Sequence, residues 1–420
     1  MNDYLYSGAN EFFENEYTKT HFVDKKLNVE VYKDAVVLPY KILDDGKWGG
    51  GVFTSSGDFL SNTGVHNDST VGYEYSDDQV VLKDTDVIFL GMFNGVWGHN
   101  ITDDLRRVWV AIADSHHDLV ANCKFAYIPI DGFKFSNNFL KLLESVGITE
   151  DKLVSINEIT CFNTLYIPDE CFYKLDTDVR WFTKEYRDLV SHIKNYFINK
   201  TDDENLKYEK IYFTYSKYKK NVSYGEKYFE KFFSSLGYEI IAPEDYSLEE
   251  QIALLSNCKS LASTVGSCAH NCIFMSQGAE IILIPRTYCL TGYQIALNEV
   301  NNLKVTWIDS SLSNHVRRNF PYMGPYCLAI TTNLLKVFNV DADAFSREEY
   351  KNMIRTYCTY DISCLWRYRK EDTEAPSYYS NASQRELSWI MDRADISKAG
   401  YKFIRFGVIL RKVFKLKDNI

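Results

Sequence analysis

Between residues 246 and 285 the spacing of apolar positions changes from helical to extended and back, twice. Leu248, Ile252 and Leu255 fall on one face of a helix. Ser247 stands in front of them as a cap, and Glu249 and Glu250 follow in the first turn, where carboxylates suit the positive end of the helix dipole. The pattern then predicts a strand over 260–263, a small-residue turn Thr264-Val265-Gly266-Ser267, a helix from near Ala269, and a second strand ending at Pro285. A small-residue turn between a strand and a helix leaves backbone N–H groups open to an anion, as in phosphate-binding α/β proteins. It is equally the plain connection of a βαβ unit, and spacing alone leaves both readings open.

The rest of the chain alternates in the same way. Residues 31–40 and 86–90 read as strands, and Gly49-Gly50-Gly51-Val52-Phe53 reads as a strand entering a hairpin turn. A helix is predicted to open near Asn100, a strand to cover 124–130, and helices to cover 138–146, closed by Gly147, and 184–197. Residues 199–210 are polar and nearly free of apolar side chains, the best linker in the chain. Beyond them come a strand at 211–215, a helix at 225–236 closed by Gly237, and strands at 238–242 and 304–308. From residue 333 the chain turns helical and Tyr-rich. The reading is therefore α/β, with an N-terminal domain (1–198), a linker (199–210), a second αβ domain (211–332) and a helical extension (333–420).

Segment 398–417 stands apart. Lys398, Lys402, Arg405, Arg411, Lys412, Lys415 and Lys417 alternate with Phe403, Phe406, Ile409, Leu410, Val413 and Leu416 at amphipathic spacing. Such a helix either attaches to an anionic membrane surface or docks on the protein by its apolar face.

Composition narrows the classes. The chain has 420 residues, too many for one comfortable core, with 45% hydrophobic and 25% charged residues. Its net charge of −10 argues against a duplex nucleic-acid binder. No apolar run approaches the roughly 20 residues that span a bilayer. The first residues lack the basic start and apolar core of a secretion signal. Ten Cys without CxxC pairs fit reduced thiols in a cytoplasm and no zinc site.

Three segments carry chemistry. His99 and Asp103 are four apart at a helix start, where the carboxylate can orient and charge an imidazole that accepts a proton; the same spacing also serves a helix dipole. Lys217, Lys219 and Lys220 follow a strand end, where open α/β sheets place their ligands, and there they either neutralise a diphosphate or are solvated. DxD triplets at 84–86, 176–178 and 341–343 read as surface acids, the first lying just ahead of its strand.

In order and content these segments resemble glycosyltransferase family 61, in its bacterial capsule and exopolysaccharide branch. Asn94, His99, Asp103, Leu105 and Arg107 answer to its N-terminal pattern. Gly237-Tyr238-Glu239, Ser247-Leu-Glu249-Glu250-Gln251 and Asn271-Cys-Ile-Phe274-Met275 answer to the second half, and residues 49–53 to its early Gly-Gly-Val. Two positions depart: Val265 stands where the family has His, and Tyr215 where it has Arg.

The resemblance implies two Rossmann-like domains facing a cleft (GT-B type) and an inverting, metal-independent transfer from a nucleotide-sugar, with UDP the expected nucleotide. The acceptor would be a growing surface polysaccharide, possibly a lipid-linked one, at the cytoplasmic face of the membrane. It implies Asp103 and His99 as catalytic base, and Asn94 and Arg107 on the acceptor side. Donor contacts would come from Lys217, Lys219, Lys220, Glu249, Glu250, Gly266, Ser267, His270 and Asn271, without a metal or other cofactor. The competing assignments are a pyruvyl or phosphosugar transferase on the same polysaccharides and a non-catalytic glycan-binding or scaffold subunit.

Overall fold

The computed structural model describes residues 16, 19–64, 70–174, 179–201, 206–218, 223–286, 292–313, 324–368 and 377–414. Lys219, Lys220, the triplet at 176–178, residues 202–205 of the expected linker, and Lys415 and Lys417 lie outside them.

The chain builds two large sheets. The first contains β1 (Val29–Ile42), β2 (Trp48–Phe53), β3 (Phe59–Leu60), β4 (Thr70–Val71), β5 (Val81–Phe93), β6 (Lys124–Pro129), β7 (Leu153–Ser155) and β8 (Thr160–Pro168). Its order is β3-β2-β1-β8-β5-β6-β7, with β4 beside β2. The strands β8, β5, β6 and β7 are parallel, whereas β1 runs antiparallel to both β2 and β8. This half is therefore a mixed sheet. A short ribbon of β9 (Phe172–Lys174) and β10 (Arg180–Phe182) follows.

The second sheet is parallel throughout. It is made of β11 (Lys210–Phe213), β13 (Glu239–Ile241), β14 (Ser260–Thr264), β15 (Glu280–Ile284) and β16 (Lys304–Trp307), in the order β13-β11-β14-β15-β16. Outside it, β12 (Ser223–Tyr224) pairs with β17 (Tyr326–Cys327). The strand order reverses between β11 and β14, and at such a switch point the loops leaving the carboxyl ends diverge and open a crevice. Here those loops begin at Thr214 and Val265.

Strand alternation decides what covers each face. Ile211, Phe213, Leu261, Ile281 and Leu283 point to a core they share with Ile88, Leu90, Phe125 and Tyr127 of the first sheet. The helices Lys184–Ile198 and Leu248–Asn257 pack together inside that core. Tyr212, Ala262, Ile282 and Ile284 point the other way, onto the helix Glu226–Ser235 and the C-terminal helices. One continuous apolar core thus joins the two sheets and fixes their facing loops.

The helix Leu248–Asn257 begins as its sequence requires. Ser247 Oγ accepts from Glu250 N and the Glu250 carboxylate accepts from Ser247 N, a reciprocal capping box. The C-terminal helices are Thr332–Phe338, Arg347–Tyr368, Ser377–Arg393 and Lys398–Val413. Among the described residues no helix is long and apolar enough to cross a membrane.

Candidate functional site

The helix expected near Asn100 is broken into short pieces. One α-turn covers Trp97–Asn100, and 3-10 turns follow at Asp103–Leu105 and Val108–Ile112. Buried carboxylates organise the break. The Asp104 carboxylate accepts from Asn94 N and from Asn100 Nδ2 at 2.7 Å, and the Asn94 side chain accepts from Val96 N. Asn94, an expected acceptor contact, thus shapes the turn that presents His99.

His99 Nδ1 lies 2.6 Å from Asp103 Oδ2. The His99 side chain is 30% exposed and that of Asp103 10%, so the imidazole is the member of the pair that a solute can reach. Asp103 is held from its other side. Tyr293 Oη donates to Asp103 Oδ2 at 2.7 Å, and Arg180 Nε stands 3.7 Å from Oδ1. Arg180 also donates to the Tyr293 hydroxyl and lies over its ring. Burial and the neighbouring Asp103 charge hold the Tyr293 phenol far above its ordinary range, so it remains a donor to the carboxylate.

This group sits directly against the turn after β14. Trp97 Nε1 donates to Asn271 Oδ1 at 2.7 Å. A Cβ at Gly98 would come within 2.9 Å of Ser267 Oγ and 3.1 Å of His270 Nδ1, so a larger residue there would have to push these side chains aside. His270 is 9% exposed, stacks on Tyr293 at 6.1 Å, and neither ring nitrogen has a hydrogen-bond partner. Burial, reinforced by nearby His99, pushes its imidazole down to about 3. His270 is therefore neutral across the physiological range, with an unused donor and acceptor.

The helix expected from Ala269 is a single turn, Ser267–His270, continuing as 3-10 structure through Phe274. That is too short to develop a useful dipole. A cation that the sequence reading did not select stands there instead. Arg286, just beyond β15, donates from Nε to Val265 O at 2.8 Å, and its guanidinium lies 4.5 Å from the ring centres of both Tyr215 and Tyr326. Its Nη1 is buried without a partner. Gly266 adopts φ 150° and ψ −169°, and a Cβ there would overlap Arg286 Nη2. The positive charge absent from position 215 thus lies against the Tyr215 ring, delivered from the end of β15, two strands along the sheet from β11.

Several expected donor contacts are committed elsewhere. Lys217 is exposed and ion-paired to Asp245 on the surface. Glu249 takes both bonds from Lys141 Nζ, at 2.8 and 2.9 Å, and clamps its helix to Asn137–Ser145. Glu250 is the capping-box carboxylate. Arg107 departs furthest from its expected place. It is fully buried, donates to Asn62 O at 2.6 Å and Pro168 O at 3.0 Å, and lies 3.1 Å from Glu170. Its charge stitches the turn to β8 and the β2–β3 region. The triplet at 84–86 lies inside β5 rather than ahead of it, and Asp343 of the third pairs with Arg393 at 2.6 Å. Among the described residues no cluster of three His, Cys, Asp or Glu side chains could hold a metal ion.

Arg180, Arg286 and Tyr293 escaped sequence reasoning because they lie 77 to 194 positions from His99 or Asp103 in the chain and belong to no local motif. Two signals were available: Arg286 directly follows a strand end, and Arg180 is a charge between apolar positions (VRWF). No curated protein matches the chain. Residues 97–282 match the sequence model of the family described as Glycosyltransferase 61. The matched span runs from Trp97 to β15 and includes His99, Asp103, Arg180 and the 266–271 turn, but stops short of Arg286 and Tyr293. Residues 97–282 are thus similar to glycosyltransferase family 61, and this match supports a glycosyltransferase.

Proposed function

We propose that the protein is an inverting, metal-independent transferase that moves a sugar from a nucleotide-sugar, a UDP-sugar in the first instance, to a growing bacterial surface polysaccharide. The observation that supports this reading is the contact of Trp97 and Gly98, in the turn that carries His99, with Asn271 and the Ser267–His270 turn; in this reading the first turn holds the base and the second the anion site. Inversion is one displacement at the anomeric carbon, so a base must take the acceptor proton as the nucleotide departs. With Nδ1–H donated to Asp103, the His99 lone pair is on Nε2, and Asp103 stabilises the imidazolium as it forms. Tyr293 and Arg180 fix the carboxylate in that orientation.

On the donor side, Arg286 offsets the charge growing on the diphosphate, with Ser267, His270 and Asn271 supplying neutral hydrogen bonds around it. Lys217 is kept as an outer cation on this side. In this reading the two sheets act as two Rossmann-like domains of a GT-B arrangement, divided at 199–210, with the extension from 333 supporting the second. The enzyme works in the cytoplasm, peripheral to the membrane.

The test is a donor screen on the full chain. Nucleotide release from one nucleotide-sugar, dependent on a polysaccharide acceptor and undiminished by EDTA, is the expected outcome. Release that needs Mn2+ removes the metal-independent mechanism. Phosphate release in place of nucleotide, or glycan binding with no nucleotide binding, removes the nucleotide-sugar reading.

A further inference from the structure

Exposed apolar side chains are spread over the first sheet and its loops, as at Val31, Ile42, Leu82 and Val96, but five gather in one place. Phe403 (78%), Phe406 (56%), Leu410 (39%), Val413 (53%) and Phe414 (68%) all lie on the final helix or at its end. At about 100° per residue these positions project onto one stripe. The opposite side of the same helix is docked. Val408 is buried, Arg405 pairs with Asp361 at 3.0 Å, and Lys412 donates to Ser363 at 3.1 Å. Those contacts set the helix side by side with Arg347–Tyr368, running the same way. Exposed Leu365 and Trp366 are thereby brought to the end that carries Val413 and Phe414. One face of the helix is thus docked on the protein and the other is left exposed.

We infer that this outward stripe is a docking face for an anionic lipid bilayer. Charge selects the partner. The helix Lys398–Val413 holds Lys398, Lys402, Arg405, Arg411 and Lys412 and no acidic residue, on a chain of net charge −10. By helical projection Lys402 and Arg411 border the stripe on its two sides. A second copy seated on the same face would bring these cations together, whereas anionic headgroups neutralise them while the rings enter the interface. The face lies flat on the bilayer; the helix is already held by the protein and does not insert across it.

The inference deepens the peripheral location proposed above. Its readout is vesicle binding, not turnover, so a failed transfer assay and a failed docking face are told apart. The full chain is sedimented with vesicles of phosphatidylcholine alone and of equal parts phosphatidylcholine and phosphatidylglycerol. Binding is expected only to the anionic vesicles, and it should weaken as salt rises. Phe403→Ser with Phe406→Ser should weaken it by roughly tenfold or more, and Lys402→Glu with Arg411→Glu comparably. Both pairs are exposed, so the melting temperature should stay at its wild-type value. Equal binding to both vesicle types, or undiminished binding by either double variant, would overturn the inference. So would a wild-type dimer, seen without lipid, that the Phe403/Phe406 change dissolves; it would assign the face to a second copy.

Discussion

Replacing Gly266 by Ala should uncouple the donor site from the rest of the protein. Gly266 sits at φ 150° and ψ −169°, a region essentially confined to glycine, where an L side chain costs about 1–3 kcal/mol. The new methyl would overlap Arg286 Nη2 and stand 3.1 Å from Tyr215 Oη. The guanidinium is the flexible partner, so it withdraws, by on the order of 1 Å to restore van der Waals distance. Withdrawal strains the 2.8 Å bond to Val265 O and the two 4.5 Å ring contacts. Such a hydrogen bond contributes about 1 kcal/mol and a stacked cation about 0.5–2 kcal/mol, so partial loss of both adds about 1 kcal/mol to the backbone strain. The expected total is about 2–4 kcal/mol in urea unfolding. UDP affinity by calorimetry should fall at least about tenfold, or ~1.4 kcal/mol. Arg286→Met, which leaves the backbone alone, should lose the same affinity with less loss of stability. Unchanged UDP binding in both variants would refute the placement of the diphosphate beside Arg286.

Other outcomes follow from buried charge. His270, depressed to about 3 by burial, stays neutral in the fold while an unfolded imidazole takes up a proton near 6.5. The unfolded state thus binds more protons as pH falls from about 6.5 toward 3, and stability is lost across that window. Between pH 7 and pH 5, urea unfolding of the wild type should lose about 2 kcal/mol more than His270→Gln. Arg107→Met should cost about 2 kcal/mol or more, because it removes one of the two guanidiniums paired with Glu170 and the donor to the buried Pro168 carbonyl and to Asn62 O. Thermal melting should show that loss, while the KM for acceptor in the folded fraction remains at its wild-type value.

Much of the second half was legible in the sequence because its signals are local. The Ser247–Glu250 capping box, Gly237 as a helix stop and the strand–turn–helix at 260–270 each need only a few neighbouring residues. The first half was harder. Strand β8 lies between β1 and β5, yet its sequence TCFNTLYIP mixes polar and apolar positions without a clean alternation, and no expectation covered it. The run Asn100 to Trp109 has helical spacing, but the Asp104 and Arg107 side chains are buried, and their bonds to backbone groups break it into short turns. Arg107 itself matched a pattern and was assigned to the acceptor side, and its burial is visible only in the fold. The site residues supplied by β10, by the loop after β15 and by the helix Gly292–Val300 meet Asp103 and Gly266 solely through the fold.

The central claim is that His99 and Asp103 act as one base beside the nucleotide site. Its most direct test is turnover with nucleotide-sugar and acceptor for Asp103→Asn and His99→Ala, alongside UDP affinity and melting temperature for each. A kcat loss of about a hundredfold or more is expected in both variants, with UDP affinity within a factor of about three and the fold intact. Near wild-type kcat in both, with nucleotide still bound, would contradict it and move the base to another residue.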